Sequence, residues 1–224
     1  MYVSIFPILA FDDPTKNFVD NGTGFFINSE GFFISAGHVF KNKNRKYSAR
    51  IHNQLYPIEL VYEEYIEQDR QEKPIYKDLY IGKISFDSKQ IKPLSFSLTK
   101  AKNSEYFACG YSSRIPINNQ KIKKQEDLCF DDCEMEIKQL NYHKLQFKYY
   151  GEKMFQTLGI EIHWFDNGFV IEMNNTPASG LSGGPVIHDL FVKGILIAMN
   201  NCISSDYITS VLSVYSIDYK ISEQ

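Results

Sequence analysis

The chain has 224 residues, within the range of a single all-β domain. Hydrophobic residues make up 43% and charged residues 23%, enough apolar material for a real core, which excludes a low-complexity or disordered chain. With 24 Lys and Arg against 27 Asp and Glu the formal net charge is −3, so no overall positive field exists to hold nucleic acid or anionic lipid.

The N-terminal run from Met1 to Phe11 is apolar, but no basic residue precedes it, Pro7 interrupts it and Asp12-Asp13 closes it. It reads as a strand from Tyr2 to Ala10, not as a signal peptide. Further short blocks of aromatic and β-branched residues follow at 24–28, 32–35, 79–86, 104–111, 154–165, 169–174, 191–199 and 207–215. Each is a predicted strand, with Gly, Asn and Asp clusters between blocks. Asn28-Ser29-Glu30-Gly31 predicts a hairpin turn in which Gly31 supplies the positive φ. Helical periodicity competes only around 126–145. The polar stretches 68–77 and 113–126 read as exposed loops, and 88–103 as a crossing between two halves. No apolar stretch approaches the roughly 20 residues that span a bilayer, and no linker marks a second domain. Cys109, Cys129, Cys133 and Cys202 are too sparse for a disulfide scaffold, so a cytoplasmic location is expected, with an exported mature form as the alternative.

Three segments carry chemistry. In Ser179-Gly180-Leu181-Ser182-Gly183-Gly184-Pro185 three glycines surround a serine, and a tight turn of this kind can aim the N–H groups of Gly180 and Ser182 at a developing oxyanion. Alone, the stretch reads equally well as a flexible loop. In Ser35-Ala36-Gly37-His38-Val39 an apolar strand ends in small residues and presents a histidine, a pattern that suits a projecting base as well as a structural residue. Lys77-Asp78-Leu79 places an acid at the start of an alternating strand, where a solvated cap is the ordinary alternative. Asp69 and Asp87 compete for the same role, but Asp69 lies in a polar loop and Asp87 at the far end of the strand that Asp78 begins. A hydroxyl needs a base to take its proton and an acid to orient that base, and Ser182, His38 and Asp78 supply these groups at strand edges.

With Gly22-Thr23-Gly24-Phe25, these motifs resemble the histidine, aspartate and serine motifs of the trypsin-like (chymotrypsin-fold) serine peptidases of the bacterial kind, in the family's order and over most of the chain. The resemblance implies an all-β fold of two antiparallel six-stranded β-barrels with the active site in the cleft between them. It implies one peptidase domain over 1–224, the first barrel at about 1–98 and the second at about 99–217. The long Asp78-to-Ser182 spacing places an insertion within 113–165. The catalytic residues would be His38, Asp78 and Ser182, with Gly180 and Ser182 forming the oxyanion hole. Thr176, six residues before the nucleophile, together with Ile197 and Ala198 would line the substrate pocket and, lacking charge, disfavour basic and acidic side chains.

No cofactor is implied. Cys129, Cys133 and His143 lack the fourth ligand of a structural zinc site, so no metal is expected. The expected partners are a protein or peptide substrate and an activating or sensor protein, with neither nucleic acid nor membrane. The functional expectation is a serine endopeptidase working through an acyl-enzyme; the alternatives are an inactive protease-fold module that binds peptides and an esterase.

Overall fold

The computed structural model describes residues 2–13, 18–65, 77–98, 105–112, 141–151, 155–158, 161–164, 168–171, 180–198 and 201–222, of which 141–151, 155–158, 161–164 and 198 are described by their backbone. The N-terminal half is one antiparallel sheet: β1 (Ile5–Phe11), β2 (Asp20–Phe26), β3 (Phe32–Ser35), β4 (Lys46–Ile51), β5 (Gln54–Pro57), β6 (Glu59–Tyr65) and β7 (Asp78–Lys83), in the order β5-β4-β1-β2-β3-β7-β6. Side chains alternate between faces at period two. Ile5, Phe25, Ile34, Leu79 and Ile81 face the C-terminal half, whereas Phe6, Ile8, Phe26, Phe33 and Tyr80 fill the sheet's own core. That core is aromatic: Phe6 lies 4.8 Å from Phe26 and 5.4 Å from Phe33, and Phe40 stacks on Tyr80 at 3.6 Å. β1 is buried along its whole length, as its unbroken apolar run requires.

The C-terminal half contains β8 (Glu105–Ser112), β9 (Asn141–Gly151), β10 (Phe155–Leu158), β11 (Glu161–Trp164), β12 (Gly168–Ile171), β13 (Pro185–His188), β14 (Phe191–Ala198), β15 (Asn201–Ser204) and the helix α1 (Ser205–Val214). Six of its strands close a barrel in the order β12-β15-β14-β13-β8-β9, and β10 and β11 form a separate antiparallel pair.

The all-β class is therefore as expected, but the two halves differ. The first is a seven-stranded sheet, not a six-stranded barrel. Its additional edge strand β5 is produced by a two-residue turn at His52-Asn53, whose φ values of 47° and 63° suit the tight hairpin geometry that feeds strand pairing. Two local expectations also change. The block 207–215 is helical through Val214: Ile208, Val211 and Leu212 recur at three- and four-residue spacing and bury one face, overriding the β-branched composition. Of the window 126–145, residues 141–145 are strand and the rest lies outside the described residues. The Asn28–Gly31 turn forms as expected, with Gly31 at φ 88° and the Asn28 carboxamide accepting from the Glu30 and Phe32 amides.

Candidate active site

One buried threonine ties the two halves together. The Thr23 amide donates to the Ser182 carbonyl at 2.9 Å and its hydroxyl to the Gly180 carbonyl at 2.8 Å; the Tyr111 amide donates to that hydroxyl at 3.0 Å and the Ser35 hydroxyl to the Thr23 carbonyl at 2.7 Å. β2 and β3 are thereby held against both the serine loop and β8. Gly180 and Gly183 hold φ values of 104° and 84°, and a side chain at Gly183 would meet the Ser35 hydroxyl at 2.2 Å and the Thr23 carbonyl at 2.4 Å. Glycine is required there by conformation and by space.

His38 lies in the short 3-10 turn Gly37–Phe40 at the end of β3. Asp78, the fully buried first residue of β7, grips it twice: one carboxylate oxygen accepts from the His38 amide at 2.6 Å and the other meets Nδ1 at 2.6 Å. An acceptor at Nδ1 favours, for the neutral ring, the tautomer with its proton on that nitrogen, the form a general base needs. Gly37 permits this approach, since a Cβ at that position would lie 2.7 Å from the Glu64 carbonyl and 3.3 Å from the Asp78 carboxylate.

Ser182 and His38 line the same cavity, of about 170 Å³, together with Gly180 and residues of β1 and β2. The Ser182 hydroxyl donates to the Ile197 carbonyl at 3.1 Å. The Ile197 side chain belongs to the shared core, so this residue faces the site through its backbone. Ala198 ends β14. Thr176 lies outside the described residues, as do Asp69, Cys129 and Cys133. Asp87, the other competing acid, caps a 3-10 turn by accepting from the Lys89 amide at 3.0 Å.

The motifs gave no warning of a second charged cluster beside Asp78. Glu64 on β6 accepts from the Tyr207 hydroxyl of α1 and pairs with Lys77, the residue immediately before Asp78. Burial pushes the Glu64 carboxyl up, but hydrogen bonds from Lys77, Tyr207 and Tyr62 outweigh it and hold the group below the ordinary carboxylate range. Burial, then Glu64, pushes the Tyr62 hydroxyl up to about 12. The cluster joins the N-terminal sheet to the C-terminal helix one residue from the acid that orients His38. The segment 59–65, ELVYEEY, does not alternate cleanly, and Tyr207 lies 143 residues from Glu64, so no local pattern announces the cluster.

A family model described as a trypsin-like peptidase domain matches residues 22–198. Among solved structures, the chain is similar to the active form of the Rv3671c protease from M. tuberculosis, with TM-score 0.63, 15% identity, and coverage of 98% of this chain and 83% of that one. The inactive form of the same protease gives TM-score 0.59 at 14% identity, covering 94% of this chain and 88% of that one. The serine endoprotease from Yersinia pestis gives TM-score 0.55 at 13% identity, covering 94% of this chain and 62% of that one. No curated protein sequence matches at a significant level. At these identities the solved structures speak for the fold alone, whereas the family model spans the histidine, aspartate and serine motifs and most of both halves: the chain belongs to the trypsin-like peptidase domain family.

Proposed function

We propose that the protein is a serine endopeptidase in which Ser182 attacks the scissile carbonyl, His38 carries the proton and Asp78 fixes the imidazole. The observation that carries this reading is the double hold of buried Asp78 on His38 in a cavity shared with Ser182. In the first step the Ser182 oxygen bonds to the carbonyl carbon and its proton passes to His38 Nε2. The oxyanion is stabilised by the Gly180 and Ser182 amides. The carbon–nitrogen bond then breaks, His38 returns the proton to the departing amine, and water repeats the sequence on the acyl-enzyme. In this reading Thr176, Ala198 and the backbone of Ile197 line the acyl-side pocket, which favours small or medium uncharged residues at the cleavage position.

In the resting arrangement the Ser182 proton is directed to the Ile197 carbonyl, so the hydroxyl must rotate about its side-chain bond to engage the histidine. This supports a low basal rate in the isolated protein, raised by substrate or by an activating partner in the cytoplasm. Leu181, immediately before the nucleophile, is buried and uncharged, and so offers no ion pair to an amine freed by N-terminal trimming.

Fluorophosphonate labelling combined with an unbiased peptide-library digest tests the assignment. The wild-type protein is expected to label and to cleave, and Ser182→Ala to do neither, with a loss of several orders of magnitude in turnover. Labelling without peptide cleavage would identify an esterase; no labelling would identify a binding module. Turnover retained by Ser182→Ala would refute the triad.

A further inference from the structure

The cavity beside Ser182 is one-sided. Beyond His38 and the serine loop, its wall is Asp20 and Asn21 at the start of β2, Val39 and Lys41 following the histidine, and an apolar floor of Ile8 and Ala10. No residue of β14 contributes to it. Under the reading proposed above, on which this inference rests, the acyl half of a substrate runs along Ile197 and Ala198. The departing amine takes its proton from His38, so the chain after the scissile bond begins beside the imidazole and enters this cavity.

Two ionic side chains stand at its rim, and they differ in how far they are engaged. Asp20 accepts from the Asn21 amide at 2.9 Å and stands 3.6 Å from the Arg45 guanidinium, which Asp12 holds more closely at 2.8 Å. Asn21 in turn is anchored through its carboxamide to the Tyr111 carbonyl at 3.1 Å. Lys41 is exposed and makes no ion pair among the described residues. Lys41 is thus the rim charge with no ion-pair partner among the described residues, above an apolar floor that suits the methylenes of an acidic side chain. We infer that this cavity is the leaving-group subsite and that Lys41 makes it select an aspartate or glutamate at the first or second position after the cleaved bond.

The experiment uses the full chain and peptides with a common acyl half, carrying Asp, Asn or Lys at each of those two positions. At one position Asp is expected to exceed Asn in kcat/KM by about threefold to fivefold, as befits an ion pair at a solvated rim, and the advantage should shrink as salt rises. Lys41→Glu should invert the order so that Lys leads. A second measurement needs no hydrolysis: fluorescence anisotropy of the same peptides with Ser182→Ala protein, with and without Lys41→Glu. If the acid preference appears in binding but nothing is cleaved, the subsite stands and the catalytic reading falls. If peptides are cleaved with the same ranking in wild type and Lys41→Glu, or if neither cleavage nor binding distinguishes Asp from Asn, the subsite assignment is overturned.

Discussion

Thr23 uses its amide, carbonyl and hydroxyl in four hydrogen bonds, three of them across the seam between the halves, and one of those three fixes the carbonyl of Gly180. The orientation of that peptide decides whether the neighbouring amides face the cleft. Thr23→Val preserves shape while leaving the Gly180 carbonyl and the Tyr111 amide each short of a buried partner. It should lower stability by about 1–3 kcal/mol in denaturant titration and reduce kcat more than it raises KM. Unchanged kcat in a folded variant would show that the serine loop holds itself. His38, Asp78 and Ser182 were legible because each sits in a short motif whose small neighbours announce a backbone constraint. The Thr23 network was half legible: its glycine-flanked motif stood out, but bonds reaching 157 residues along the chain have no local signature.

Among the elements, β6 and α1 bear on the site although neither carries a proposed catalytic group. Their joint is Glu64, held by Tyr207 and Lys77. A carboxyl held below its ordinary range stabilises the fold above about pH 4.3 and loses that contribution as pH falls through its folded value. Glu64→Gln should therefore flatten the fall in urea midpoint between about pH 5 and pH 3, a difference checked by parallel titrations. Identical acid limbs would exclude Glu64 as a linked group. α1 departs from the strand expected of it, an expectation that rests on its Tyr, Ile, Thr and Val. Burial of one face against β14 and β15 decided otherwise, an instance of tertiary packing overruling propensity. β4 and β5 lack a legible strand signal even though Tyr47, Ala49 and Ile51 alternate, since the polar residues between them dilute the pattern.

The whole molecule is organised around one apolar cluster to which both halves contribute: Ile5, Phe25 and Leu79 from the sheet, Ile195 and Ile203 from the barrel, Ile208 and Leu212 from the helix. Phe96, in the crossing segment, is clasped on two sides. Its amide donates to the Lys220 carbonyl and its carbonyl accepts from the Ser222 amide, both at 2.8 Å, and the next amide, Ser97, reaches the Val192 carbonyl at 3.0 Å. Removing residues 218–224 takes away both Phe96 partners near the C-terminal end and should cost about 2 kcal/mol. Thermal unfolding of the truncated chain is expected at a lower midpoint, still as a single transition because the cluster does not divide; two separated transitions would contradict a shared core. The same clasp has a bearing on biosynthesis. Until the barrel strands and the helix have left the ribosome, the apolar face of the sheet lacks its cover, and Phe96 gains its last mates later still, at Lys220 and Ser222. His38 is synthesised 144 residues before Ser182, so the nascent sheet presents its imidazole long before the serine loop that lines the same cavity exists, and the cleft forms only once that loop and the strands after it have emerged.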